Sequence, residues 1–269
     1  DLNADSADVN ETVTYTKVGS LVPSSSDGNF PGAPTVVYPN DPSDATKVTP
    51  AGVPTVPGYT AHDPEGKVLT PGSSYQPSDP TKDTTITYTA DKQKGSISYV
   101  DDTTGTTLKT DSISGTTGSK SSYSTSGSIA DYKKQGYELV TDGYPADLTF
   151  DNDDTTDQNF TVHLKHQLTP VNPTDPQTPG TPINPDEPDG PKWPTSTNYD
   201  KTVNETISYV QNGHAVAKQH TDSVNFTRTV VVDNVTGEVI TSGAGTTAWT
   251  ATNGDTTFDA VVSPVVPGS

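Results

Sequence analysis

The densest run of side chains suited to chemistry is Asp151-Asn152-Asp153-Asp154-Thr155-Thr156-Asp157. Asp151, Asp153, Thr155 and Asp157 alternate as the oxygen ligands of a calcium loop do. Two positions depart from that pattern: the sixth is Thr156 where an EF-hand loop has Gly, and the twelfth is Val162 where it has Glu. Asp151, Asp153 and Asp157 are therefore the metal candidates, with calcium the only cofactor suggested, beside the simpler reading of a solvated acidic turn. The five histidines are His62, His163, His166, His214 and His220. His163 and His166 lie three apart on a predicted strand and face opposite sides, so they cannot pair like the i, i+4 histidines of a zinc helix. All five read as ordinary surface or strand-end histidines. There is no G-x-S-x-G elbow, phosphate-cradling Gly loop or H-E-x-x-H, and with no cysteine there is no disulfide, zinc–thiolate site or Cys nucleophile. Two carboxylates suffice for a glycosidase, but nothing singles out a pair among 34 acidic residues. The sequence predicts a non-enzyme. Trp193 and Trp249 are the only tryptophans and could each stack on a sugar ring. Trp193, between Lys192 and Pro194, reads instead as packing a linker onto a domain, and Trp249 as core. A Lys–Asn isopeptide crosslink is a further possibility that sequence cannot show.

The elements that must position these residues are strands. The 269 residues carry a formal charge of −19, from 15 Lys+Arg against 34 Asp+Glu, which opposes binding to nucleic acid phosphates. No apolar run approaches the ~20 residues that span a bilayer, and no signal peptide is read. Only 47 residues are Val, Ile, Leu or Phe, a composition that by itself leans toward disorder. The pattern argues the other way: 27 Val against 8 Leu, with 46 Thr and 12 Tyr, is a strand-forming set, and the apolar residues alternate.

A five-residue pattern recurs at Thr12–Thr16, Thr85–Thr89, Ser96–Val100 and Thr206–Val210. In each copy a β-branched residue and a Tyr lie two apart, giving a strand with one buried face and one hydroxyl-rich face. Between 168 and 198 Pro recurs every third residue, which predicts a stiff polyproline spacer. The resulting division is a β module over 1–93, a second module over 94–168, a Pro-rich linker over 169–198 and a third module over 199–269. Strands are expected near 12–18, 34–38, 66–69 and 84–90 in the first and near 96–100, 106–113, 137–141 and 160–164 in the second. The third has them near 203–210, 224–232, 235–241 and 246–250. In the second module Ser128-Ile129-Ala130-Asp131 reads as a capping box opening a short helix, with Gly136 at its C′ position. Two strands, a helix, then further strands is a β-grasp order. The third module lacks the closing strand of the first if the two are homologous. The fold class is thus mainly β, an elongated multi-module array containing a β-grasp (ubiquitin-like) module with one short helix.

The residues Gly95–Asp101, Gly136–Val140, Phe150–Asp154 and Gln158–His166 resemble the MucBP (mucin-binding) module. Val203–Ile207, Asn225–Val230 and Asp233–Glu238 resemble its Mub-type companion, and the whole chain is similar to one repeat of a Lactobacillus mucus-binding protein. The resemblance implies a cell-surface adhesin repeat, extracellular and carried by a cell-wall anchored parent, that binds mucin glycoproteins and their glycans through many weak contacts. It also implies immunoglobulin as a further partner and neighbouring repeats of the same protein as contacts. The negative charge should repel sialylated or sulfated glycans. The alternative is a purely structural stalk.

Overall fold

The computed structural model describes residues 2–12, 17–215 and 220–254. The chain is mainly β, with one α-helix among the described residues. It forms two compact units, Asp1–Ile97 with Thr110–Tyr123 and Tyr144–Phe160, and Ser98–Lys109 with Ser124–Gly143 and Thr161–Ser269.

In the first unit, β1 (Ser20–Ser24), β2 (Val36–Val37), β3 (Tyr59–His62), β4 (Val68–Leu69) and β5 (Thr84–Ala90) make a sheet of order β2-β1-β5-β3-β4. Strand β5 behaves as its sequence predicts: Thr84, Ile86 and Tyr88 are buried, and the intervening threonines face outward. Burying Ile86 contributes about 1.5–3 kcal/mol, and the polar ends of Tyr88 and Tyr38 find partners. Tyr88 donates to the Pro54 carbonyl at 2.6 Å and Tyr38 to the Lys82 carbonyl at 3.0 Å. Phe30 stacks on Tyr88 at 5.1 Å, closing a core that also holds Leu21, Val48 and Ala51.

A four-stranded sheet follows, of order β7-β6-β9-β8, from β6 (Lys92–Asp101), β7 (Thr106–Thr116), β8 (Tyr137–Asp142) and β9 (Gln158–His166), with α1 (Ser126–Lys134) between β7 and β8 in the chain. This is the element order on which the β-grasp expectation rests. Along β6 every second residue from Gln93 to Asp101 is buried. The helix starts two residues before the expected capping box: Thr125 is the N-cap and makes no side-chain cap bond. Ser128 lies inside the helix, where its hydroxyl accepts from Lys109 Nζ at 2.6 Å. Ile129 is buried, and Tyr132 lies 5.7 Å from Tyr99 and 5.6 Å from Tyr137, ring to ring. Gly136 ends the helix at φ +98, as the sequence predicts.

The second unit adds β10 (Leu168–Val171), β11 (Asp200–Ile207), β12 (His220–Thr227), β13 (Val230–Asp233), β14 (Val239–Ile240) and β15 (Thr250–Ala251), in sheets of order β10-β13-β14 and β11-β12-β15. The single strand expected over 224–232 is two, interrupted at Arg228–Thr229 and divided between the two sheets. The strand expected over 235–241 shrinks to β14, because Asp233 turns the chain by accepting from the Val235 and Thr236 amides at 2.8 and 3.1 Å.

The Pro-rich segment is not an extended spacer. Its first residues form β10, antiparallel to β13 with Val171 opposite Val230, and Ile183 enters a core of Val171, Tyr199, Val230 and Val232 against which Trp193 packs. A proline at every third position leaves two amides free in each repeat, and these close a hairpin: Trp193 donates to the Thr181 carbonyl at 2.9 Å and Ile183 to that of Pro191 at 2.9 Å. Regular proline spacing was compatible with either conformation; the apolar side chains between the prolines decide it. The first copy of the five-residue pattern falls mostly on residues 13–16. The missing closing strand of the third module concerns 255–269. Both lie outside the described residues.

Candidate functional site

The ends of β12 and β15 and the turn after β10 build an open basin in the second unit. The β12–β11 register pairs Thr227 with Asp200 and Phe226 with Lys201, and the β12–β15 register pairs Thr227 with Thr250. The basin, about 340 Å³, is lined by Asn172, Thr227, Arg228, Thr229, Thr247 and Thr250, with Pro173, Thr174 and Thr252 completing the wall. Arg228 donates from Nε to the Asn198 carbonyl at 2.7 Å, and its guanidinium carbon lies 4.2 Å from the centroid of the Trp249 ring. Asn172 donates to the Thr229 hydroxyl at 3.1 Å, and the Thr229 amide to the Thr247 hydroxyl at 2.8 Å. Trp249 is half-buried rather than core. It lines a separate shallow pocket with Lys201, Val203 and Phe226. Hydroxyls, an amide and one guanidinium line the basin, groups that hydrogen-bond a sugar's hydroxyls and supply a single positive charge.

A second cluster in the same unit is ionic and buried. His166 Nδ1 lies 2.7 Å from Asp233 Oδ2 and Nε2 lies 2.6 Å from Asp101 Oδ2, and all three side chains are less than a tenth exposed. Burial works against an imidazolium here, but the hydrogen bonds and charges of Asp233 and Asp101 outweigh it and raise the His166 pKa. For Asp233 burial pushes upward, and the bonds from His166, Val235 and Thr236 outweigh that and lower it. With both nitrogens on carboxylates, the ring is a charged clamp between β6, β9 and β13. Beside it Gln167 donates its amide to the Gly136 carbonyl at 2.9 Å and accepts from the Asn234 amide at 2.9 Å. Asn184, buried, donates to the Asn234 carbonyl at 2.8 Å.

The first unit holds a mainly apolar pocket of about 200 Å³, walled by Val53, Val56, Leu69 and Tyr88 and bordered by Asp91 and Asp154. Burial, and then the hydrogen bond and charge shared with Asp154, push the Asp91 carboxyl up against the opposing bond from Thr60. Gln93 secures Asp154 Oδ1 at 2.6 Å.

The calcium candidates sit in consecutive Asx turns. Asp151 Oδ1 accepts the Asp153 amide at 3.1 Å, and Asp153 Oδ1 accepts the Thr155 amide and hydroxyl at 2.9 and 2.7 Å. Those bonds, the hydroxyl's first, lower the Asp153 pKa. Among the described residues no three His, Asp or Glu side chains come together to hold a metal ion, so Asp151, Asp153 and Asp157 are not assembled into one. His163 contacts Asp102 at 2.8 Å on the exposed face of β9, and His62 contacts Thr89 at 2.9 Å. His166 is the residue that sequence reasoning passed over. It shares parity with Val162 and Leu164, as Asp101 does with Ile97 and Tyr99, and that inward parity was the available signal. Among the described residues no lysine is buried as an isopeptide crosslink requires.

Residues 93–166 match the family of the mucin binding domain (MucBP_2), and residues 194–269 that of the Muc B2-like domain. No curated protein matches the chain. Among solved structures, the type 2 repeat of the mucus binding protein MUB from Lactobacillus reuteri is 34% identical, with 65% of this chain and 84% of that chain covered and a TM-score of 0.45. The crystal structure of Mub-RV is also 34% identical, with 65% and 83% covered and a TM-score of 0.47. No helix among the described residues is long and apolar enough to cross a membrane.

Proposed function

Because the chain belongs to the family of Mub-type mucus-binding repeats, we propose that it is an adhesin segment that grips host mucin glycoproteins, and their glycans in particular, through many weak contacts. It is a non-enzymatic, extracellular surface repeat. The observation that carries the reading is the succession of a mucin-binding and a B2-like domain along one chain. The hydroxyl-rich basin around Arg228 supports it by offering hydrogen-bonding groups for a sugar's hydroxyls. Weak contacts suffice when a surface protein presents several, since linked sites raise avidity about 10²–10⁴-fold without new contacts. We extend the proposal to immunoglobulin as a second partner, to neighbouring repeats as contacts, and to a cell-wall anchored parent.

The test is binding of the 269-residue chain to immobilised purified mucin, before and after enzymatic removal of its glycans. Retention on intact mucin and loss on the stripped protein are expected. Equal retention on both, or none on either, refutes glycan recognition. A stalk role is the second reading, favoured by the run of β9 into β10 with only Gln167 between them; it is the reading that survives if neither mucin retains the chain.

A further inference from the structure

We propose that the apolar pocket of the first unit binds a small primary amine, with the apolar body of the guest among Val53, Val56, Leu69 and Tyr88 and its ammonium between the carboxylates of Asp91 and Asp154. The inference does not depend on the mucus-glycoprotein reading. At about 200 Å³ the pocket is smaller than the roughly 300–1,000 Å³ of drug-sized sites, so it suits a compact guest. Most polar groups on its wall are already engaged. Tyr88 donates to the Pro54 carbonyl at 2.6 Å, and Thr60 donates to one oxygen of Asp91. Gln93 donates to one oxygen of Asp154 at 2.6 Å. Each carboxylate keeps a second oxygen, and the two carboxyls lie within hydrogen-bonding reach of each other. Among the described residues no lysine or arginine pairs with either. An ammonium brings three donors and one positive charge, which is what two adjacent carboxylates lack.

Two further observations point to a guest. Tyr59, on the same wall, is nine-tenths buried, and its hydroxyl has no hydrogen-bond partner. Buried polar atoms are nearly always paired, so an unpaired one calls for a group that completes it. The carboxylates themselves carry a cost. Burial and the charge of Asp154 push the Asp91 carboxyl up, with Thr60 and His62 acting the other way. The like-charged pair therefore lowers stability near neutral pH. Proteins retain such costly groups where a ligand uses them. The charge selects the guest. A neutral molecule would leave the repulsion in place, and an anion would add a third negative charge. The Tyr59 hydroxyl in turn favours a guest with a second polar group on its apolar body.

The experiment titrates the whole chain at neutral pH with phenethylamine, its neutral analogue 2-phenylethanol, its anionic analogue 3-phenylpropionate, and tyramine, following the amide NMR signals. The parent should bind phenethylamine about tenfold or more tighter than 2-phenylethanol, with 3-phenylpropionate weakest. Tyramine should bind about fivefold tighter than phenethylamine, the worth of one hydrogen bond. Asp91→Asn should weaken both amines about tenfold and leave 2-phenylethanol unchanged. Tyr59→Phe, which keeps the ring and its packing, should abolish the advantage of tyramine alone, so a folding defect in Asp91→Asn does not decide the matter. Tyrosinamide, titrated alongside, separates the two sources of such an amine: binding like tyramine points to the N-terminal residue of a peptide, and binding of tyramine alone to a free amine. A parent that binds the neutral or anionic analogue as tightly as phenethylamine overturns the inference, as does a parent that binds neither amine. Asp91→Asn and Tyr59→Phe, both folded and both binding like the parent, overturn it too.

Discussion

Replacing His166 with alanine should destabilise the second unit by about 3 kcal/mol near pH 5.5, at the low end of the ~3–5 kcal/mol for breaking a buried ion pair. Two charge-assisted bonds of 2.6 and 2.7 Å disappear, each contributing about 1.5–3 kcal/mol. Asp101 and Asp233, 1% and 6% exposed, are left without their cation. The loss stays near the lower bound because backbone donors remain: the Thr103 amide on Asp101 at 2.9 Å, and the Val235 and Thr236 amides on Asp233. At about 2–4 °C per kcal/mol for a unit of this size, the midpoint should fall by roughly 6–12 °C. The pH dependence has a definite sign. A raised histidine pKa contributes stability that is complete below the ordinary imidazole value, about 6.5, and is lost as pH rises through the raised value. The depressed Asp233 contributes above the ordinary carboxylate value of 3.8 and is lost as pH falls through its lowered one. The clamp is therefore at full strength between those ordinary values, and the gap between parent and variant should narrow in alkali. Thermal unfolding followed by near-UV dichroism of Trp193 and Trp249, both in this unit, reads it out. A gap below about 1 kcal/mol at pH 5.5, or one of the same size at pH 5.5 and 9, would refute the assignment of a charged clamp.

Two further substitutions test neighbouring features. Gly136→Ala puts a Cβ 2.4 Å from the Asn234 carbonyl oxygen at a φ of +98, so urea unfolding should show a loss of about 2 kcal/mol or more; a neutral result would mean that the junction there is loose. Asp154→Asn keeps an acceptor for Gln93 and removes the charge that helps hold the Asp91 carboxyl up. A raised carboxylate pKa is a penalty present above that pKa and absent at low pH, so the variant should melt higher than the parent at neutral pH and equally near pH 3. A variant that melts lower at neutral pH would count against repulsion between the two carboxylates.

Alternation made the strands legible. Ile86 and Tyr88, or Ile97 and Tyr99, announce a buried face two residues at a time, and Gly136 announces the left-handed end of α1, because both signals are local. What failed was what depends on distant partners. Ser128 had the spacing of a capping box, but Lys109 claims its hydroxyl and the helix begins earlier. The prolines from 170 to 194 read as a rod because the pattern alone does not reveal that Val171 and Ile183 have a core to enter. His166 looked ordinary because its two carboxylates are 65 and 67 residues away. Trp249 read as core because nothing local tells that Arg228 covers one of its faces.

A bacterium held in moving mucus pulls on whatever tethers it, and a slack hinge would let each tether swing before it bears load. Between β9 and β10 there is no slack: the one intervening residue, Gln167, has its amide on Gly136 and its carbonyl on Asn234. Drag on one sheet is therefore passed to the next through the peptide backbone itself.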